Sequence, residues 1–539
     1  MDADYAAHRY GRARFADDDM IFDAGLDRSL GVYLGETDSG VHCYAPGQSA
    51  ALIAAGARGG KGSSILPSLL DGFGDSHVIS MDWKGQNGPI TGLQPGTHII
   101  NWAPRAGGDR INPIPQLTNN SPTLQPDTKL WVQSWIVKNG SKDGEVFQAY
   151  AQRITEACAL SYIEQYGLLE LPGLSDVMAL VGTNTETWLE FESYMHMSRF
   201  GAVQAMAEEL REIRNSDTPN AGGFGGAKTE ITNSFACLSD PELRESVSPP
   251  FDFDPTQLTE ENGPRFQVNL MEAMEFSKSS APIVRSIYSS IMLLKRRALR
   301  SRPQVWLLDE IGNIGAWPLA VELATYGPGY GIRPVYVVQS IQQLDNLAPN
   351  ASKIIPSSCG TQIYKATREL SEAKQLSSML GQFTLPVEDF ALNERARIAQ
   401  NEALDAMIFD GADPFRTGTA MAYQDALTEH PKLMPRALMT PDEILNTMPA
   451  EMVLVFMPRV VLAPMRLWVR NYWERPDLCG RYLGDPFHDE PGTVSIAGRF
   501  RRTRKAEIVT EPVPDAFNDY PQYRRSGTWS FVRGHRPKI

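Results

Sequence analysis

Lys61 stands in "ALIAAGARGGKGSSILPSLL" (51–70), a glycine-rich turn between two apolar runs. Such a turn, opening a helix, aims backbone N–H groups at one point, and a lysine beside it adds a cation, so the combination suits phosphate. The chemistry requires a strand, a tight turn and a helix in that order. "ALIAAG", "ARGGKG" and "SSILPSLL" supply them, and the residues around a phosphate would be Gly56, Ala57, Arg58, Gly59, Gly60, Lys61, Gly62 and Ser63. Two positions depart from the pattern G-x-x-x-x-G-K-[ST]: Ala55 falls where the first glycine is due, and Gly62 where a hydroxyl is due. Taken alone, the stretch also reads as a glycine-rich βα turn with a surface lysine.

A second group lies in "PQVWLLDEIGNIG" (303–315), where apolar residues run into Asp309 and Glu310. A buried strand would carry both acids to its C-terminal end. There, in nucleotide hydrolysis, an aspartate holds Mg²⁺ through water and a glutamate polarises the attacking water. An ordinary strand ending in acids is the plain alternative, but both elements on one chain favour a nucleotide site. "VYVVQSIQQLDN" (335–346) ends a further strand in Gln339, an amide suited to sensing a γ-phosphate or to capping a strand. A second glycine-rich stretch, "GGFGGAKTE" (222–230), follows no strand and reads as a flexible linker between helices. The arginine cluster "GRFRRTRK" (498–505) has the composition of a nucleic-acid or anionic-lipid contact, and reads more simply as a solvated basic run.

Positioning these groups takes a sheet. "ALIAAG", "HVISMDWKG" (77–85) and "THIIN" (97–101) read as strands, with a helix between the first two, which predicts a parallel α/β sheet. "RFQVNL", "QVWLLDE", "RPVYVVQS", "TQIYKA", "EMVLVFM" and "MRLWVRNYW" continue the strand pattern later in the chain. Between the two sets, apolar residues recur at three- and four-residue steps, as in "EVFQAYAQRITEACALSYIEQYG", which predicts an all-α insertion. The expected division is an irregular lead-in over 1–48, a discontinuous sheet domain over 49–127 and 246–475, an all-α domain over 128–245, and a basic, poorly ordered tail over 476–539.

Composition bounds the rest. At 539 residues the chain exceeds a single compact core, and its 42% apolar and 21% charged content is that of a globular protein. Five scattered cysteines form no C-x-x-C pair, and the eight histidines show no ligand spacing, so neither a disulfide frame nor a zinc site is expected. No run approaches the roughly 18 apolar residues of a membrane span, and the polar N-terminus lacks a leader's apolar core. These features place the chain in the cytoplasm, with peripheral contact at the inner membrane as the alternative. The net charge is −13, yet residues 491–539 carry +6 and the preceding body −19. A uniformly nucleic-acid-binding surface is thereby excluded, though a basic channel is not.

Together the motifs resemble those of the type IV secretion coupling proteins, the TraG/TraD-like ATPases of bacterial conjugation. "AGARGGKG" is similar to the family's x-P-T-R-S-G-K-G loop, which also has glycine after the lysine. "SILPSLL", "MDWKGQN", "RINPI", "LLDEIGNIG", "GYGIRPVYVVQSIQQL", "LSSMLGQFT" and "RALMTPDEI" follow in the family's order, with Trp83 and Gln86 replacing its proline and glutamate. The resemblance covers about residues 10–475. It implies an α/β, RecA-like P-loop NTPase domain with an inserted all-α domain, binding ATP and Mg²⁺. Lys61 would bind the β/γ phosphates, Asp309 would hold the metal, Glu310 would be the catalytic base and Gln339 the coupling residue.

Further expectations come with that resemblance: a homo-hexameric ring, monomeric in isolation, whose neighbouring subunit supplies an arginine that no motif here singles out. Cargo would be single-stranded DNA with its relaxase, delivered to type IV secretion channel components. A coupling ATPase for protein effectors only, or a nucleotide-binding adaptor that does not hydrolyse, are the alternatives. A duplex-DNA pump of the FtsK/HerA kind shares the core but not the I-P-S-L-L and Q-S-x-x-Q-L neighbourhoods. Gly62 departs from the general loop pattern because it offers Mg²⁺ no hydroxyl, a role open to Ser63 or Ser64 only with a shifted helix start. The family's N-terminal transmembrane pair is also absent, which implies a trimmed chain or recruitment by a separate membrane-anchoring partner.

Overall fold

Apolar runs without alternation, such as Leu52-Ile53-Ala54 and Val305-Trp306-Leu307-Leu308, suit strands covered on both faces. In the computed structural model they are buried throughout. The structure describes residues 9–56, 59–138, 142–216, 223–387, 390–428, 432–498 and 502–538. Strands follow along the chain as β1 (Val32–Glu36), β2 (His42–Ala45), β3 (Ala51–Ala55), β4 (His77–Asp82), β5 (Thr97–Trp102), β6 (Arg265–Met271), β7 (Gln304–Asp309), β8 (Ile332–Val338) and β9 (Thr361–Lys365). After them come β10 (Gln382–Val387), β11 (Lys432–Ala437), β12 (Met452–Phe456), β13 (Met465–Trp468), β14 (Thr493–Ala497), β15 (Thr503–Pro512) and β16 (Thr528–Val532).

The main sheet has 11 strands in the order β2-β1-β13-β12-β9-β3-β8-β7-β4-β6-β5. From β9 to β5 every neighbour is parallel, and from β9 outward through β12, β13, β1 and β2 every pairing is antiparallel. The lead-in expected to be irregular therefore supplies two strands of the sheet edge. Their burial on both faces explains why neither shows the polar alternation that marks an exposed strand.

Of the helices that bear on the site, α1 (Gly62–Pro67) follows β3 directly and passes into a π turn over Ser68–Gly72. Between β5 and β6 lie α2 (Leu124–Trp135), α3 (Lys142–Tyr166), α4 (Leu171–Ala179), α5 (Glu186–His196), α6 (Gly201–Asn215), α7 (Phe224–Phe235) and α8 (Pro241–Ser246). Their inner faces bury Trp131, Trp135, Ile154, Leu174, Trp188, Met206, Leu210 and Phe235. Thr185 and Asp240 cap α5 and α8 by accepting backbone N–H bonds, the usual way to satisfy free helix-end donors. The stretch expected to be a linker, 222–230, is helical from Phe224 as part of α7, and Lys228 Nζ donates to Val181 O at 3.0 Å. Gly222 lies outside the described residues; of the described glycines only Gly223 adopts a left-handed conformation, and Gly226 lies close against Phe147.

The long helix α9 (Ser277–Arg297) joins helical cluster to sheet. Its Tyr288 ring packs 4.9 Å from Trp306 of β7, and its Ser286 Oγ accepts from Trp131 Nε1 at 2.8 Å. Beyond β9 come α10 (Leu370–Leu380) and a projection that no motif announced. In it the two-stranded ribbon β10–β11 carries a helical hairpin of α11 (Phe390–Phe409) and α12 (Pro414–Thr428).

The expectation of a poorly ordered C-terminal tail does not hold over residues 493–498 and 502–532. β14, β15 and β16 form an antiparallel sheet whose Trp529 and Phe531 pack with Phe517 and Leu93. A two-residue alternation is present in Thr493–Ala497 and Thr528–Val532, but each run is five residues long and arginines between them dominated the composition. Trp529 is 2% exposed and is the largest side chain in this small cluster. Trp529→Ala is expected to cost about 3–5 kcal/mol locally. Limited proteolysis should then cut within 493–532, whereas a wild-type chain cut there just as fast would contradict a folded C-terminal sheet.

Candidate functional site

Parallel strands all end at one edge, and here that edge gathers the chemistry-bearing residues. Reading across the sheet, β9 ends in Lys365, β3 in Ala55, β8 in Val338, β7 in Asp309 and β4 in Asp82. The glycine-rich turn leaves β3 between its neighbours β9 and β8. Gly59 N–H donates to Gly56 O at 2.8 Å, Gly60 takes φ +69°, and Lys61 begins the right-handed turn that becomes α1. The turn lies hard against the end of β9: Gly56 N–H donates to Lys365 O at 3.2 Å. A Cβ at Gly56 would stand 2.3 Å from Ala366 O, so glycine is required by space there. At Gly62 the nearest atom to such a Cβ is Leu66 Cδ1 at 3.7 Å, so space does not explain the glycine that replaces the expected hydroxyl.

Lys61 and Glu310, 249 residues apart in sequence, meet with Nζ 2.5 Å from Oε1. Both are nearly buried, at 8% and 3% side-chain exposure. Gln339, just past β8, donates from Nε2 to the same Oε1 at 2.9 Å. Glu310 sits at φ +50°, an uncommon left-handed setting for a non-glycine residue, which turns its side chain from the end of β7 toward the loop. Asp309 beside it is buried, and its Oδ1 has no hydrogen-bond partner. Burial first, and then the Glu310 charge, push its carboxyl up to about 7. Asp82 differs: burial raises it as well, but it accepts N–H bonds from Gln86, Asn87 and Gly88.

The structure thus brings Lys61, Glu310 and Gln339 into direct contact, with Asp309 adjoining, around Gly56, Gly59, Gly60, Gly62 and Ser63. Ala57 and Arg58 lie outside the described residues. An orphaned, buried carboxylate oxygen is what a divalent cation would satisfy, so Asp309 fits Mg²⁺ directly or through water. The hydroxyl side fits less well, because Ser63 Oγ is bonded to Gly60 O at 2.5 Å and to Lys365 Nζ at 2.9 Å. Among the described residues no cluster of His, Cys, Asp and Glu is arranged to hold a metal by itself. Sequence reading missed Lys365; the available signal was a charged residue closing the buried strand "TQIYK", the same signal that marked Asp309.

A parallel sheet with a glycine-rich loop and strand-end acids at its C-terminal edge, joined to a helical cluster, has the α/β fold of a RecA-like NTPase with a helical domain. Residues 11–403 match the family described as "Type IV secretory system Conjugative DNA transfer", and the chain belongs to that family. It is 24% identical over 438 residues to the conjugal transfer protein TraG of Escherichia coli, covering 72% of this chain and 67% of that one. It is 22% identical over 385 residues to the protein VirD4 of Agrobacterium fabrum, covering 66% of this chain but only 52% of that one. The bacterial conjugative coupling protein TrwBdeltaN70, solved with sulphate, shares the fold with a TM-score of 0.56 at 14% identity, over 86% of this chain and 95% of that one. TrwB solved with ADP and Mg²⁺ gives 0.53 at 14% identity, over 86% and 94%. Among the described residues, no helix is long and apolar enough to cross a membrane.

Gly56→Ala is expected to destabilise the chain by about 1–3 kcal/mol, because the new methyl must push the turn off the end of β9. Gly62→Ala should unfold within about 0.5 kcal/mol of wild type. Thermal unfolding of the pair checks this, and equal behaviour would contradict the packing of the turn against Ala366.

Proposed function

We propose that this chain binds ATP with Mg²⁺ at the 56–63 loop and hydrolyses it to drive or gate transfer of single-stranded DNA, with its relaxase, into a type IV secretion channel. The observation that carries the reading is the contact of Lys61, Glu310 and Gln339 at one carboxylate oxygen, at the mouth of the loop. An ATP γ-phosphate entering there competes with Glu310 for the Lys61 ammonium. As Lys61 turns to the β/γ oxygens, Glu310 Oε1 is released to accept a proton from the attacking water. Water oxygen then bonds to the γ-phosphorus, the bond to the β–γ bridging oxygen breaks, and ADP leaves with phosphate. Mg²⁺, held from Asp309, would neutralise charge on the transferred phosphoryl group. Gln339, bonded to the base, would report loss of the γ-phosphate along β8. Support for the nucleotide comes from the TrwB structures with ADP and Mg²⁺ and with a non-hydrolysable ATP analogue.

The ring belongs to the same proposal: a homo-hexamer in which a neighbour's arginine completes the site, located in the cytoplasm at the inner membrane. Helices α2–α8, which span 124–246 and so nearly coincide with the all-α unit proposed over 128–245, would receive the cargo. Protein effectors are the alternative cargo. One observation favours a second reading, a nucleotide-binding adaptor without turnover: Gly62 lacks the metal-binding hydroxyl and that of Ser63 is already engaged.

Steady-state ATP hydrolysis with and without single-stranded DNA separates these readings. Turnover raised by DNA, abolished in Lys61→Ala, and reduced about 10²–10⁴-fold in Glu310→Gln with nucleotide binding retained is the expected result. Binding without turnover at any protein concentration would establish the adaptor instead, and turnover indifferent to DNA would favour effector cargo.

A further inference from the structure

The loop faces a second lysine. Lys365 closes β9, and its backbone is in register with Ala55, the last residue of β3. Its side chain is 6% exposed, with Nζ donating to Ser63 Oγ at 2.9 Å and standing 3.1 Å from the position of a Cβ on Gly60. The ammonium therefore lies under residues 60–63, on the side of the turn away from β8 and the Glu310 carboxylate. Among the described residues it forms no ion pair, and Ser63 Oγ is the single hydrogen-bond partner for its three donors. Lys61, by contrast, is paired.

A buried cation hydrogen-bonded to one hydroxyl, with the Glu451 charge as its other electrostatic support, is costly unless an anion joins it. Lys295, Arg285 and Arg475 are also buried and each bonds two or more fixed groups, although Nη1 of Arg475 is left without a partner. Lys295 bonds Ser301 O and Oγ, Arg285 bonds three backbone carbonyls, and Arg475 bonds Asp477 and Tyr44. Lys365 is held differently, at the opening of the one glycine-rich turn that follows a sheet strand. The backbone that carries it is also fixed in an unusual way: Ala366 takes φ +48°, and its carbonyl oxygen fills the space beside Gly56 that a side chain would otherwise occupy. The segment from Lys365 to Ala366 thereby forms one wall of the turn. Its cation is supplied from a different strand than the loop lysine.

We propose that Lys365 is a second phosphate-binding lysine, contacting the nucleotide's phosphates from the Ser63 side of the loop while Lys61 contacts them from the Glu310 side. This rests on the nucleotide-site reading above and extends it. The chain lacks a hydroxyl at Gly62 to help hold Mg²⁺, and a fixed ammonium in cis supplies positive charge to the phosphates without the metal. The site is therefore built to retain nucleotide when Mg²⁺ is scarce. Lys61 alone cannot do this, because it must leave a carboxylate to reach the ligand.

The test uses fluorescent ADP titrated into the full chain in Mg²⁺ and in EDTA, with Lys365→Met, Lys365→Gln and Lys61→Ala alongside wild type. Wild type should lose little affinity in EDTA. Both Lys365 variants should bind about 10- to 100-fold more weakly in EDTA, the worth of one charge-assisted contact. Their ligand-free melting temperature should stay level or rise, since a buried cation has been removed. A lower ligand-free melting temperature in Lys365→Met, with affinity restored in Lys365→Gln, would overturn the proposal, because a neutral donor would then suffice to hold Ser63. Binding lost in Lys61→Ala but unchanged in both Lys365 variants would overturn it while leaving the nucleotide site intact. Wild type that binds no nucleotide in either condition would overturn both.

Discussion

The contact of Lys61 with Glu310 depends on almost everything else in the molecule being where it is. Two opposite charges out of water are tolerated only at close range with their other valences filled, and removing one partner of such a pair typically costs about 3–5 kcal/mol. Here Oε1 of Glu310 is filled twice, by Lys61 and by the Gln339 amide. The three residues come from three chain segments, and what aligns them is the register of β3, β8 and β7, in which Ile53 pairs with Val337 and Asp309 with Val337 in turn. A slip of one residue in any of these strands would turn a strand-end side chain to the other face of the sheet. The apolar strands thus fix the charge geometry, and the charges do not need to fix the fold.

That division explains what could be read without coordinates. Strands β3, β4, β7 and β8 were legible because each is a largely apolar run, β7 closing in Asp309 and β8 leading into Gln339, and the loop was legible because glycine, lysine and an ensuing helix occur in one order. Lys365 was not, although its strand was, because a lysine after "TQIY" has no fixed spacing to any motif; its significance comes from the pairing of β9 with β3. The antiparallel extension through β12, β13, β1 and β2 was hidden by the same long-range pairing, which joins residues 32–45 to 452–468. The glycines of 222–230 read as a loop because glycine weakens a helix, yet Phe147 packs onto Gly223 and Gly226 and pays that weakness back. Propensity lost to packing there.

One buried side chain bonds both the helical cluster and the segment that carries the site. Arg285 of α9 donates from Nε to Ser134 O at 2.9 Å and from Nη1 to Ile314 O at 3.0 Å, with Nη2 3.4 Å from Trp135 O. The first and last of these carbonyls end α2, and Ile314 closes the short turn that begins at Glu310. A helix C-terminus presents unsatisfied carbonyls and partial negative charge, so a guanidinium is well matched to it. Burial depresses the Arg285 pKa to about 10, which still leaves it charged at neutral pH. The same guanidinium therefore holds the end of α2 and the segment carrying the acid that meets Lys61. The 311–314 turn and the last carbonyls of α2 share that one donor. The cluster is thus mechanically joined to the carboxylate by four residues of backbone and one side chain. The Trp131 and Trp135 rings, 5.9 Å apart on the same α2, extend that connection into the packed interior of the helices.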